Sequence, residues 1–170
     1  MKVKDEGARG DRAARITTLA LGALVAGLVV AVVWVGLVVL DKKGDAEDRA
    51  KAVQAARQMG VNLMTVDHAS AQKDLDRMLS GATGDLKNQL ATQSKVFIDS
   101  VAKAQTKSTV SQVDAAVVSI DGDSAEVMVS LNGMVTNPKV PNGVTRPYRY
   151  QMDLTKSGDR WLVSKLEMVP

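Results

Sequence analysis

The side chains best suited to chemistry are few in this sequence. The chain of 170 residues contains one histidine, His68, and no cysteine, so disulfides, zinc–thiolate sites and cysteine nucleophiles are excluded. A metal site at His68 would need further ligands at suitable spacing, and the neighbouring sequence supplies none. We interpret His68 as a solvated or capping residue at a helix end. The sequence therefore predicts no catalytic, cofactor-binding or metal-binding residue.

Two tyrosines, Tyr148 and Tyr150, share one face of a predicted strand. Ketosteroid isomerases use a tyrosine and acidic groups inside an apolar pocket, so this pair raises the question of an enzyme. The acidic residues of the predicted strands, Asp114, Glu126 and Asp153, fall on polar faces or at positions whose face is ambiguous. We therefore expect a protein that is not an enzyme.

An uncharged stretch of 25 residues, Ile16–Leu40, precedes all of these side chains. About 20 apolar residues are enough to span a bilayer as a helix. A cleaved signal peptide is the alternative, but its apolar region has about 7–15 residues and ends at a small-residue cleavage site. Here the stretch continues into Asp41-Lys42-Lys43 without such a site. The sequence predicts a retained transmembrane helix over residues 16–40.

Length and charge together give the expected orientation. Residues 1–15 carry five basic and three acidic side chains, and a long following segment is translocated largely regardless of its charge. We expect a single-pass protein of the cell (inner) membrane with a cytoplasmic tail, 1–15, and a periplasmic or otherwise extracytoplasmic domain, 41–170. The net charge is only +3 without a basic cluster, so no nucleic-acid partner is expected.

Small residues recur at intervals of four within the predicted transmembrane helix. This spacing lets a second helix approach closely, although glycine is also simply frequent in membrane helices. Both interpretations remain open. The candidate helix-packing interface consists of Gly22, Ala23, Ala26, Gly27 and Ala31.

Three helices are predicted after the membrane. The first begins at Asp45 and ends near Asp67–Ser70, and Gly60 indicates close packing because glycine is costly inside a helix. The second helix follows a cap at Asp67 or Ser70, and the third follows an N-cap at Thr83. The positions expected on the buried faces are Ala46, Ala50, Val53, Ala56, Leu63, Leu75, Met78, Leu79, Leu86, Leu90, Phe97, Val101 and Ala104.

Four strands are predicted next, because from Thr109 the apolar period changes to two. Asp-Gly is a strong hairpin signal, so Asp121 and Asp123 are assigned to turn chemistry rather than to calcium binding. A half-buried strand follows, with alternate apolar residues over positions 125–135. The remaining predicted elements are a loop at Asn137–Gly143, a strand at Arg146–Leu154, a turn at Ser157–Asp159 and a strand at Arg160–Met168.

The inward face of the last predicted strand is ambiguous. Trp161 and Val163 lie on one face, whereas Leu162, Leu166 and Met168 lie on the other. Three helices followed by a four-stranded antiparallel meander constitute an α+β layout. Helices packed into the hollow of a curved sheet form a cone, as in the nuclear-transport-factor-2-like (NTF2-like) fold.

Short segments along the whole chain resemble the Mce-associated membrane proteins of actinobacteria. The matching segments are the charged tail with its anchor, Leu63–Ser70, Asp74–Leu86, Asp121–Val127 and Arg160–Val163. The resemblance implies an accessory or stabilising subunit of an Mce-type lipid importer. Its implied partners are Mce transporter subunits, with membrane lipid around the anchor, and no cofactor is implied.

Two other classes of function fit the same predicted architecture. One is an inner-membrane scaffold subunit of a secretion or conjugation apparatus, because such scaffolds also combine an anchor with a cone. The other is a lipid-binding module whose cone holds a ligand against Val127, Val129, Leu131 and Tyr150. Fold does not decide among these functions.

Overall fold

The computed structural model describes residues 46–170. The predicted tail, transmembrane helix and small-residue interface lie outside these residues. Within 46–170, no helix has the length and apolarity needed to cross a membrane.

Four helices and a five-stranded antiparallel sheet make up the described residues, which confirms the predicted α+β class. The first helix, α1, covers residues 46–64 in the described part of the chain. The other helices are α2 (Ala71–Gly81), α3 (Gly84–Thr92) and α4 (Ser94–Ala104). The strands are β1 (Val66–Asp67), β2 (Lys107–Asp121), β3 (Ser124–Asn137), β4 (Val140–Ser157) and β5 (Arg160–Met168), and they are neighbours in that order.

The buried face of α1 is rotated from the predicted one. Ala52, Ala56 and Met59 are buried, as they follow the four- and three-residue spacing of one helix face. Ala46 and Ala50 are exposed, which contradicts the prediction. At about 100° per residue, these two alanines lie about 80° and 120° around the helix from Ala56. The spacing of these small residues in the sequence therefore suggested a single buried face, but in the helix they do not all lie on one face.

Gly60 brings α1 against the sheet, as its sequence context predicted. A Cβ atom at this position would lie 3.1 Å from Leu131 Cδ2 and 3.2 Å from Val129 Cγ1. Both distances are shorter than ordinary van der Waals contact. The absence of a side chain at Gly60 thus lets the helix backbone rest directly on β3.

The predicted third helix is in fact two helices, α3 and α4, with the break at Gln93 (φ −91°, ψ 3°). Leu86 of α3 is buried, and α3 packs on β5. In contrast, α4 has no buried residue: Phe97 and Val101 are only half-buried, and α4 packs against α2 and α3. A single straight helix cannot follow both surfaces. This constraint comes from tertiary packing, and the spacing of apolar residues in the sequence does not reveal it.

The short strand β1 was missed by the sequence analysis. Its two residues pair with β2 through Val66↔Ser108 and Asp67↔Lys107. Two residues are too few to establish a period of two, so a pattern-based prediction has nothing to detect. The fifth strand therefore corrects the predicted four-stranded meander.

The loop predicted at 137–143 is also wrong, because β4 already begins at Val140. Asn137 Oδ1 accepts hydrogen bonds from the backbone N–H groups of Lys139 (2.9 Å) and Val140 (3.1 Å), which closes a tight turn. Pro141 is tolerated in β4 because β5 pairs only with Tyr150–Ser157, so this part of β4 is an edge. The hairpin turn predicted at 121–123 is confirmed.

A bulge in β5 explains why its inward face was ambiguous. Trp161 and Val163 are buried. Val163 pairs with Leu154 but Lys165 pairs with Asp153, which leaves Ser164 as an extra residue. The alternation shifts there, and consequently Leu166 also packs against the core. Each of the two apolar faces considered in the sequence analysis is therefore inward over part of the strand. Met168, at its end, is 67% exposed.

Gly60→Val tests whether the contact between α1 and β3 limits stability. Valine has the better helix propensity, but its side chain overlaps Val129 and Leu131. We expect the free energy of unfolding of domain 46–170 in urea to fall by about 1–3 kcal/mol. The matched control is Ala50→Val at an exposed position of α1, which should cost only about 0.5 kcal/mol. A Gly60→Val domain as stable as the wild type would refute the close contact.

Candidate interaction groove

The interior of the cone is occupied by side chains of the chain itself. Val127, Val129, Leu131 and Tyr150, the surface considered for a lipid, are at most 6% exposed. They belong to one core cluster with the α1 side chains Ala52, Ala56, Met59 and Met64. Over Gly133, the Met64 methyl group lies 2.5 Å from the place of a Cβ atom, and so it fills even the space that glycine leaves.

The two tyrosines pack together on the inner face of β4, as predicted. The ring centroids of Tyr148 and Tyr150 are 6.2 Å apart with 3° between the ring planes. Burial raises the pKa of the Tyr150 phenol. Asp114, Glu126 and Asp153 lie on the other face of the sheet, where Asp114 is exposed and the other two are half-buried. The pair therefore has no carboxyl partner among these three residues.

His68 lies at the exposed connection after β1. Its backbone N–H donates to the Thr106 carbonyl at 2.9 Å, and its Nδ1 is 3.5 Å from Asp67 Oδ1. Across residues 46–170, no group of three or more His, Cys, Asp or Glu side chains is arranged to hold a metal ion.

One buried acid, Asp74 of α2, escaped the sequence analysis. It is 2% exposed. Its Oδ2 accepts from the Asp67 backbone N–H at 2.7 Å, the Ser70 hydroxyl lies at 3.3 Å, and Arg77 Nη2 lies 2.7 Å from Oδ1. These partners make Asp74 a structural brace between β1 and α2. Ser70 is the N-cap residue as predicted, but its hydroxyl contacts Asp74 instead of a backbone N–H.

A groove of about 460 Å³ runs between α1, the end of α2 and the start of β5. From here on it is called the α1–β5 groove. One wall is a polar stripe of α1 formed by Lys51, Gln54 and Gln58. Ala55 and Leu162 contribute half-buried apolar surface to the lining, whereas Met59 and Trp161 also border it but are only 1% and 4% exposed.

Hydrogen bonds brace the α2 side of the groove. Arg160 Nη2 donates to the Ser80 carbonyl at 3.0 Å. Asn62 Nδ2 donates to the Arg77 carbonyl at 3.3 Å, and Asn62 Oδ1 accepts from Gln58 Nε2 at 2.9 Å. The walls are thus connected to one another by side chains that are distant in sequence.

An ion pair ties α1 to the sheet beside the groove. Lys156 Nζ of β4 donates to Asp48 Oδ2 at 2.7 Å and lies 6.0 Å from the centroid of the Trp161 ring. Both side chains are about three-quarters buried, with exposed fractions of 27% and 23%. Chiefly through this hydrogen bond, the pKa of Asp48 is lowered and the pKa of Lys156 is raised.

The chemistry of the α1–β5 groove suits recognition of a polypeptide. Amide side chains such as Gln54 and Gln58 can donate to and accept from a peptide backbone. Apolar surface from the half-buried Ala55 and Leu162 can contact side chains of the same segment. The titratable groups of the lining, Lys51, Asp159 and Arg160, do not form the paired carboxylates or nucleophile–base pair of an enzyme. The groove was not predicted, because its residues come from distant parts of the sequence.

The family model described as "Uncharacterized protein Rv1363c/MT1408-like" matches residues 13–170. A relative from Mycobacterium tuberculosis, "Uncharacterized protein Rv1363c", is 29% identical over 168 residues. The alignment covers 94% of this chain and 62% of that protein, so the chain spans less than two thirds of this relative's length.

Solved structures with similar folds include a protein of plasmid conjugation, a periplasmic domain and a component of a type IV secretion system. An NTF2-like protein involved in plasmid conjugation has a TM-score of 0.53 at 15% identity, covering 71% of this chain and 48% of that one. The periplasmic domain of DotI has a TM-score of 0.52 at 13% identity, and the alignment covers 69% of this chain and 92% of that one. CagV, a VirB8 homologue of the type IV secretion system of Helicobacter pylori, has a TM-score of 0.53 at 8% identity, and the alignment covers 71% of this chain and 97% of that one. At these identities the likeness concerns the fold, and it confirms the predicted NTF2-like cone for the described residues.

Lys156→Met tests the ion pair beside the groove. The depressed pKa of Asp48 means that its contribution is present above the ordinary value of 3.8 and is lost as pH falls through the lowered value. The raised pKa of Lys156 means that its contribution is present below 10.5 and is lost at higher pH. We expect Lys156→Met to lower the melting temperature most between these limits, with a smaller difference at more acid pH. Lys165→Met, which removes an exposed pair with Glu167, is the control and should change little. Equal losses in both variants, or a loss independent of pH, would contradict the assignment.

Proposed function

The chain belongs to the Rv1363c/MT1408-like family, and we propose that it is a non-enzymatic, membrane-anchored assembly subunit of a transport apparatus in the cell envelope. Residues 16–40 anchor it, and the cone lies outside the cytoplasm. It works by protein–protein contact, with the α1–β5 groove as the contact site on the cone.

The observation that carries this proposal is the filled interior of the cone. An NTF2-like enzyme or lipid carrier needs an interior cavity for its ligand. Here Met59 and Met64 of α1 occupy that position, and Val129 and Leu131 beneath them are at most 2% exposed. Binding to partners must then use the outer surfaces, and the α1–β5 groove combines amide hydrogen-bonding groups with an apolar lining.

The similar structures support an apparatus of the secretion or conjugation type. Their names describe a conjugation protein, the periplasmic domain of DotI and a VirB8 homologue. This support is an analogy of fold, since function does not follow from fold alone. It also agrees with an extracytoplasmic position of the cone, which the sequence predicts from the length of residues 41–170.

A second candidate is the accessory subunit of an Mce-type lipid importer. It is favoured by the sequence segments that resemble Mce-associated membrane proteins, including Asp74–Leu86 and Arg160–Val163. In either apparatus, the small residues around Gly27 in the predicted transmembrane helix are proposed to contact a partner helix. The two candidates differ in the proteins that accompany the chain, and therefore copurification separates them.

Gln54→Trp tests the groove and the proposed function together. The indole fills the α1–β5 groove from an exposed position of α1, so a bound segment is displaced. Full-length tagged protein is cross-linked in its native membrane, purified and examined by mass spectrometry. We expect secretion- or conjugation-type subunits to accompany the wild type and to decrease severalfold with Gln54→Trp.

The control is Gln89→Trp, an equally exposed glutamine on α3 outside the groove lining. It should retain the wild-type partners. Recovery of Mce transporter subunits would favour the second candidate over the first. A wild-type protein that brings down neither kind of subunit would refute the assembly role. Equal recovery of partners with both variants would show that the groove is not the contact site.

A further inference from the structure

Among the charged side chains on the outer face of the sheet, which also include the half-buried Glu126 and Asp153, one opposite pair is arranged symmetrically about β3. In one cross-strand row, Asp114 of β2 pairs with Ser130 of β3, and Ser130 pairs with Arg149 of β4. Neighbouring strands are about 4.8 Å apart, so the carboxylate and the guanidinium arise at similar distances on either side of β3. All three side chains are exposed.

Neither charge is neutralised by its own domain. Asp114 Oδ2 accepts a hydrogen bond from Gln112 Nε2 at 2.8 Å, and Arg149 Nη1 reaches the Pro170 carbonyl at 3.4 Å. Of the ion pairs formed within residues 46–170, none includes either Asp114 or Arg149. Both therefore remain available to charges on another molecule.

Next to this charged row, the outer face has apolar side chains and a shallow depression. Ala116 pairs with Met128 in the next row, and Val118 beside them is 56% exposed. A depression of about 250 Å³ lies between Asp114, Ala116, Met128 and Arg149. Apolar surface framed by opposite charges is the usual composition of a protein contact, with its polar groups at the rim.

We propose that this outer face binds a second copy of the chain. A two-fold axis that lies between the two sheets and runs along β3 places Asp114 of each copy opposite Arg149 of the other. The same operation brings Ser130 and Met128 against their own counterparts near the axis. Such a contact is self-complementary, as a two-fold symmetric interface requires, and sheets pack face to face about 10 Å apart. The contact does not depend on which apparatus the chain serves.

A single cysteine at Ser130 tests the contact in the full-length protein. The natural chain has no cysteine, so Ser130→Cys introduces the only thiol, close to the proposed axis. Isolated membranes are treated with a short bis-maleimide, and the cross-linked dimer is quantified after denaturing electrophoresis. Ser157→Cys, at the exposed end of β4, is the control for chance collisions between anchored domains. We expect a dimer band that is severalfold stronger for Ser130→Cys than for Ser157→Cys.

Charge exchange in the Ser130→Cys background then tests the pairing itself. Arg149→Asp places like charges opposite each other across the axis and should reduce the dimer band to the control level. Adding Asp114→Arg reverses both charges and should restore the band, which also shows that the exchanged chain is folded. Equal cross-linking at positions 130 and 157, or failure of the double exchange to restore the dimer, would overturn the proposal. A band from Ser130→Cys that contains a different protein would overturn it too.

Discussion

The close approach of α1 to β3 at Gly60 is the contact on which the rest of the structure depends. Without a side chain at Gly60, the helix backbone lies against Val129 and Leu131. Met59 and Met64 can then fill the hollow of the sheet, where they pack with Tyr150 and the inner face of β3. The same placement of α1 sets one wall of the α1–β5 groove and brings Asp48 to Lys156. One close packing contact thus both closes the interior and shapes the outer surface.

Much of this fold could be predicted from local patterns. The alternation in β3, the Asp-Gly turn at 121–123 and the significance of Gly60 each depend on a few neighbouring residues, so the sequence contains the signal. The break at Gln93 and the two-residue strand β1 depend on the elements that pack against them. The local spacing of apolar residues carries no information about those contacts. Pro141 and Gly143 are typical of a loop, but they lie in β4 where it is an unpaired edge. The last strand was ambiguous because the bulge at Ser164 shifts the alternation, so that Trp161 and Val163 point inward before it and Leu166 packs against the core after it.

The candidate site was much less accessible to sequence reasoning than the fold. Asp48 and Lys156 are 108 residues apart in the chain, and the groove combines α1, the end of α2 and β5. Asp74 reads as an ordinary acid near a helix start, although its burial beneath Asp67 and Ser70 makes it a brace. The sequence could indicate that no enzyme motif is present, and it did so from residue types. It could not indicate the α1–β5 groove, since a groove is a property of assembled elements.

The cone is filled by its own side chains, and we therefore propose that it acts through its exterior. Titration of a fluorescent long-chain fatty acid into purified domain 46–170, with the melting temperature measured in parallel, distinguishes a filled cone from a lipid-binding one. We expect no saturable binding and an unchanged melting temperature, because Met59, Met64, Val129 and Leu131 fill the space that the fatty acid would need. Saturable binding together with a melting temperature that rises with ligand concentration would contradict this expectation and would assign the domain to lipid binding.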